Sequence, residues 1–192
     1  MKLTIDKQGN NELLLIEGAD NADILPGTKY FRNFAGVEKR HKTTGKVVNS
    51  AGRRNFCLKL DFPTEVLDEL YALGLDIVEF ASQNQEEYGD EPLRFVRIQI
   101  SEGGKAPSRL WLSNSSNKKK KEIFDKEIDL LDNARFSKVE LVVRTWHKED
   151  GTVSLYLNSG FFEQQMNPIE AKYADFDEVL GDDFDENEGL PF

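Results

Sequence analysis

The sequence predicts a mainly β domain with one short helix, followed by an acidic tail. Three observations lead there. Apolar and polar residues alternate in short runs over much of residues 12–162, the period of a half-buried strand. One stretch, "PTEVLDELYALG" at 63–74, instead spaces its apolar residues as a helix does. From Tyr173 onward the chain carries eight carboxylates and no Lys or Arg, a composition that buries little and stays disordered.

Taken in order, "ELLLIEG" (12–18) is the first expected strand. "KYFRNF" (29–34) alternates, with Tyr30, Arg32 and Phe34 on one side and Phe31 and Asn33 on the other. "VEKRHKTTGKVVNSAG" (37–52) reads as a long basic loop, and "NFCLKLD" (55–61) sets Phe56, Leu58 and Leu60 on one face. The helix follows, with Pro63 near its first turn and Gly74 as its stop. Val66, Leu67, Leu70, Tyr71 and Leu73 form its apolar stripe. "DIVEF" (76–80) returns to strand, and "ASQNQEEYGDEP" (81–92) is a polar loop.

"LRFVRIQI" (93–100) points Val96, Ile98 and Ile100 inward and Phe95 and Arg97 outward. "SRLWLS" (108–113) points Leu110 and Leu112 inward, Arg109 and Trp111 outward. "NKKKKEIFDKEIDLLDNA" (117–134) is a basic turn, Lys118 to Lys121, leading into a linker with helical character. "KVELVVRTWHKEDGTVSLYLNSGFF" (138–162) is the best hairpin, with Gly151 supplying the turn. Short strands, one helix and no βαβ rhythm fit a small barrel or sandwich. Periodicity does not choose between them. A partly open five-stranded OB-type barrel with extra strands and loops is preferred, because its groove suits a single polymer strand. The expected division is a domain over 1–172 and a flexible tail over 173–192.

The net charge is -10, of which the tail holds -8 and residues 1–172 only -2. Between Lys29 and Leu60 nine basic residues face one acid, Glu38, a local +8. A basic stripe beside an acidic tail points to a polyanion binder that carries its own competitor. Cys57 is the only cysteine, so no intrachain disulfide is possible. With His41 and His147 it offers too few and too scattered ligands for zinc. No metal or cofactor is expected. No apolar signal region opens the sequence and no run approaches the length of a membrane span, so the expected location is cytoplasmic, away from membranes.

Binding a single nucleic-acid strand takes cations along the phosphates and flat side chains against the bases. Both recur on shared strand faces: Tyr30 with Arg32 and Phe34, Phe95 with Arg97, Arg109 with Trp111, and Arg144 with Trp146. Tyr156 points outward from the last hairpin strand, and Arg40, Lys42, Arg53 and Arg54 supply charge from the basic segment. These fourteen residues are the candidate nucleic-acid contacts. Several have a plainer alternative: Tyr30 and Phe34 as caps of a barrel end, Arg53 and Arg54 as a solvated strand end, and Arg–Trp pairs as cation–π contacts over a second small core.

The tail closes as "GDDFDENEGLPF". A solubilising tail has no need of an aromatic tip, whereas a docking peptide does. Asp182, Asp183, Phe184, Asp185, Glu186, Leu190, Pro191 and Phe192 are therefore the candidate partner contacts.

The segments "FRNFAG" and "GRRNFCLKLD" resemble a family of tailed-bacteriophage single-stranded DNA-binding proteins. In that family an "RNF" strand leads through a basic loop to a second Arg-Asn-Phe strand, a short helix and a Gly-x-x-Val strand. Here these look like Arg32 to Phe34, Gly52 to Phe56, the helix from Pro63, and Gly74 to Val78. The hairpin "VELVVRTWH" to "YLNSGFF" matches in pattern. The tail is similar to the acidic tip of bacterial single-stranded DNA-binding proteins. The resemblance implies an OB fold, protection of single-stranded DNA in replication and recombination, no catalysis, and recruitment of replication proteins (polymerase, helicase or primase, nuclease) by the tail. Two other readings stay open: a Mg-dependent nuclease using carboxylates such as Glu127, Asp129 and Glu140, and a β-rich interaction module that does not touch DNA.

Overall fold

The computed structural model describes residues 1–25, 31–80, 92–114 and 120–165. In chain order the elements are β1 (Lys2–Gln8), β2 (Asn11–Ala19), β3 (Arg32–Asn33), β4 (Lys39–Arg40), β5 (Val47–Asn49), β6 (Arg54–Lys59), α1 (Thr64–Ala72), β7 (Val78–Phe80) and β8 (Leu93–Ile100). There follow β9 (Arg109–Asn114), β10 (Lys121–Ile123), α2 (Lys126–Asp129), a 3-10 turn (Leu130–Asp132), β11 (Phe136–His147) and β12 (Val153–Gln164). The mainly β class is what the sequence predicts.

Ten strands share one sheet, in the order β1-β2-β11-β12-β8-β6-β3, with β9 also on β12, β10 on β9 and β7 on β8. Among the described residues this path of pairing stays open and does not close into a barrel. Its backbone is the β11–β12 hairpin, twelve residues a side. Valines and leucines at alternate positions bury one face of it: Val139, Leu141 and Val143 on β11, and Val153, Leu155 and Leu157 on β12. Gly151 at φ 81° makes the turn, a conformation that costs Gly little. Beyond the hairpin, β12 pairs in parallel with β8 at one end and with β9 at the other.

Four fully buried phenylalanines fill the centre of the core: Phe34, Phe56, Phe136 and Phe162. Phe34 stacks on Phe56 with centroids 5.1 Å apart, and both meet Phe162 edge-on. Full burial of rings of this size stabilises by about 1.5–3 kcal/mol each. Helix α1 starts after Pro63 and stops at Gly74, whose φ is 77°. It buries Leu67 and Leu70. Tyr71 lies one residue further round and leaves the expected stripe; it is 42 % exposed and donates its hydroxyl to the Glu79 carboxylate.

Three features went unpredicted, one of them the short strand β10, where a basic turn and a helical linker were expected. Strand β1 precedes "ELLLIEG" and pairs with it along seven residues. The basic stretch 37–52 holds a small two-stranded arm, β4–β5, apart from the main sheet. No helix among the described residues is long and apolar enough to cross a membrane.

Candidate nucleic-acid interface

Alternation that buries one face of the sheet must display the other. On that outer face the strand registers align a continuous row: Leu13 of β2, Arg144 of β11, Tyr156 of β12, Gln99 of β8, Asn55 of β6 and Asn33 of β3 are successive cross-strand neighbours. Trp146, paired with Ser154, lies two residues along β11 and is 54 % exposed. Arg97 is two residues from Gln99 on β8 and is exposed. Arg144 sits 5.9 Å from the Tyr156 ring centre and donates to the Ala106 carbonyl at 2.9 Å. The ring partner of Arg144 is thus Tyr156 rather than Trp146.

The arm borders this face. Its root is fixed by three asparagines. Asn33 exchanges hydrogen bonds of 3.0 Å with the Val37 backbone in both directions. Asn49 donates to the carbonyls of Val37 and Arg53, and Asn55 donates to the Asn49 side chain at 2.7 Å. Gly36 and Gly52 touch here: a Cβ on Gly36 would lie 3.2 Å from the Gly52 carbonyl carbon and from Arg54 Cγ. The arm carries Arg40, Lys42 and Lys46 exposed. Arg40 pairs with Glu38 at 2.7 Å. Between arm and sheet lies an open hollow of about 210 Å³ lined by Val47, Val48, Arg53, Asn55, Arg97 and Gln99, among others.

Several predicted contacts lie elsewhere. Arg32 is 3 % exposed, and its guanidinium donates to the carbonyls of Ile24 (2.7 Å) and Ala134 (2.8 Å) and to the Asn21 side chain (3.0 Å). Burial pulls its pKa below the usual arginine value, against the nearby charge of Asp132. Phe34 is wholly buried in the core. These two are corrections: the side shared by Arg32 and Phe34 is the covered one. Phe95 does point away from Val96, but it is 4 % exposed, covered by a second small cluster with Leu25, Cys57 and Phe31. It is unavailable for stacking.

Arg54 is also a correction. Only 11 % of its side chain is exposed; it pairs with Glu102 at 2.8 Å and with Asp129, and it donates to the Phe34 carbonyl. Burial lowers its pKa, but the bonds to Asp129 and Glu102 outweigh that and raise it.

Arg109 and Trp111 face outward as predicted, the guanidinium 4.8 Å over the indole. Glu122 holds Arg109 through two bonds, at 2.8 and 3.2 Å, and its carboxyl is pulled below the usual range by them. Arg40, Lys42, Arg53, Arg97, Arg144, Trp146 and Tyr156 remain on or beside the open face. Tyr30 and the tail contacts from Asp182 to Phe192 lie outside the described residues.

Sequence reading missed Gln99, Lys46, Val47 and Val48, and the pairing of Lys120 over the Phe161 ring at 4.5 Å. Gln99 has the same parity as Arg97, which was the available signal. The carboxylates considered for a nuclease are dispersed: Glu127 pairs with Lys121, Asp129 with Arg54, and Glu140 with Lys138 at 2.6 Å. Among the described residues no group of three or more His, Cys, Asp or Glu is placed to hold a metal ion.

Arginines and rings on one sheet face, beside a cationic arm, suit a flexible polyanion with flat bases. The chain matches the family described as "Putative phage ssDNA-binding domain" over residues 19–190. It belongs to that family of phage single-stranded DNA-binding domains. No curated protein and no solved structure matches the chain.

Proposed function

We propose that the chain binds single-stranded DNA stoichiometrically along the outer sheet face, coating and protecting it in replication and recombination without catalysis. The observation that carries this is the open row Arg144–Tyr156–Gln99, flanked by Trp146 and Arg97 and bordered by the cationic arm. Phosphates would run past Arg53, Arg97, Arg40 and Lys42, and bases would lie against Tyr156 and Trp146.

The acidic segment 173–192 would serve two roles. Its eight carboxylates would compete with DNA for the basic face at low salt, where screening is weakest. Leu190, Pro191 and Phe192, with Asp182, Asp183, Phe184, Asp185 and Glu186, would dock replication proteins.

Titration with oligo(dT) tests the reading. Tryptophan emission is expected to quench at saturation, and Tyr156→Ala to weaken binding by about 1–3 kcal/mol without loss of thermal stability. Four phosphate contacts predict a log–log salt slope near -3 and an affinity loss of roughly fifty-fold between 50 and 200 mM. Absence of binding at low salt sinks the proposal.

A further inference from the structure

We infer that the hollow between the β4–β5 arm and the sheet receives one nucleobase of the bound strand, edge first, and reads it. This rests on the DNA-binding reading above and goes beyond phosphate tracking and stacking.

The lining is wrong for a phosphate site alone. Val47 and Val48, 37 % and 46 % exposed, add an apolar wall to a mainly polar lining. A phosphate gains nothing from that wall, whereas the flat side of a base does. Opposite stands the Gln99 amide, half-buried and with no side-chain hydrogen bond among the described residues. A Gln amide offers both a donor and an acceptor, the pairing that a base edge uses. Asn55 spends its amide N–H on Asn49 and the Arg53 carbonyl, which leaves its side-chain oxygen as an acceptor at the wall of the hollow.

Three arginines line the hollow; Arg54 is held by Glu102 and Asp129, and the other two, Arg53 and Arg97, are donors only. They favour carbonyl oxygens. Thymine, guanine and cytosine carry such oxygens and adenine does not. The hollow is therefore expected to prefer carbonyl-bearing bases over adenine. The sheet register places Gln99 directly beside Tyr156, so a base in the hollow and one on Tyr156 are neighbours along the same strand. The Asn33–Asn49–Asn55 network holds the arm, and with it the wall, at a fixed distance.

The test compares fluorescently labelled dT, dA and abasic (tetrahydrofuran) dodecamers on the full chain, by anisotropy at one salt concentration. Wild type is expected to bind dT at least about fivefold tighter than dA. Gln99→Leu keeps the volume and removes the amide; it should weaken dT binding more than dA binding and so shrink the dT-to-dA ratio severalfold, with the melting temperature in place. Val48→Trp fills the hollow; it should weaken dT binding and leave the abasic dodecamer unchanged. Since single-stranded dA stacks on itself, the change in ratio on substitution, and not the ratio alone, carries the decision. Unchanged ratios in both variants, with binding intact, overturn the base site and leave the coating function standing. Failure of wild type to bind any dodecamer overturns both.

Discussion

The tripeptide Arg-Asn-Phe occurs twice, at 32–34 and at 54–56, and the two copies lie antiparallel to each other, Arg32 opposite Phe56 and Asn33 opposite Asn55. Equivalent side chains do related work. The two phenyl rings stack in the core. The two asparagines tie down the root of the arm. Both arginines clamp the same distant segment, Arg32 through the Ala134 carbonyl and Arg54 through Asp129 and the Asp125 carbonyl. The difference lies in burial. Arg32 sits among neutral carbonyls inside the fold, and Arg54 sits between two carboxylates near its surface. A buried cation without a carboxylate bound to it depends on every one of its hydrogen bonds, whereas a rim ion pair is partly replaced by water when lost. One motif thus yields an interior brace and a surface clasp.

That contrast can be broken most forcefully at the rings. Phe34→Ala or Phe56→Ala is expected to destabilise by about 3–5 kcal/mol, read as a lower urea midpoint. Because the rings touch, the double variant should lose less than the sum.

At the arginines the copies should part. Arg32→Met leaves the Ile24 and Ala134 carbonyls without their donor and should cost about 3 kcal/mol or more. Arg54→Met should cost about 1–2 kcal/mol, because its carboxylate partners can turn to solvent. Equal losses would mean that burial does not separate the two copies.

Neither arginine should govern DNA affinity. Arg97→Ala should flatten the log–log salt slope by about 0.7, one phosphate's share for a single strand, whereas Arg32→Met, measured where it is folded, should leave the slope unchanged. The smallest effect is a control remote from both copies. Burial pushes the Glu12 carboxyl up, but hydrogen bonds with Thr145 and His147 outweigh it and hold the pKa below the usual 4.5. Its folded pKa is depressed, so its stabilisation is fully present above the unfolded value and is lost as pH falls through the folded one. The stability gap between wild type and Glu12→Gln should shrink as pH falls below 4.5.

The long hairpin was legible because twenty-five residues of alternation around one glycine leave little else to form. The parity of "KYFRNF" was legible too, since Arg32 and Phe34 do share a side. What parity does not carry is which side becomes covered, and that is decided by Phe162, Asp132 and Ala134, about a hundred residues away. Phe95 shows the same gap. It points outward as predicted and is then covered by Phe31, Leu25 and Val78. The arm escaped notice because β4 spans two residues, too few for any period to register. Outward arginines beside tryptophans did mark the open face, although Glu122 claims one of them.

Strand β2 ends at Ala19 and its partner β11 begins at Phe136. At a synthesis rate of about 5–20 residues per second, roughly 6–25 s separate the emergence of those two edges from the ribosome. For that interval Leu14 and Ile16 lack the strand that later encloses them, and the Phe34–Phe56 stack, once both rings have emerged, waits in turn for Phe162. The core cannot close before translation delivers β11 and β12, and a nascent-chain chaperone that shields the β1–β2 hairpin would have several seconds in which to act.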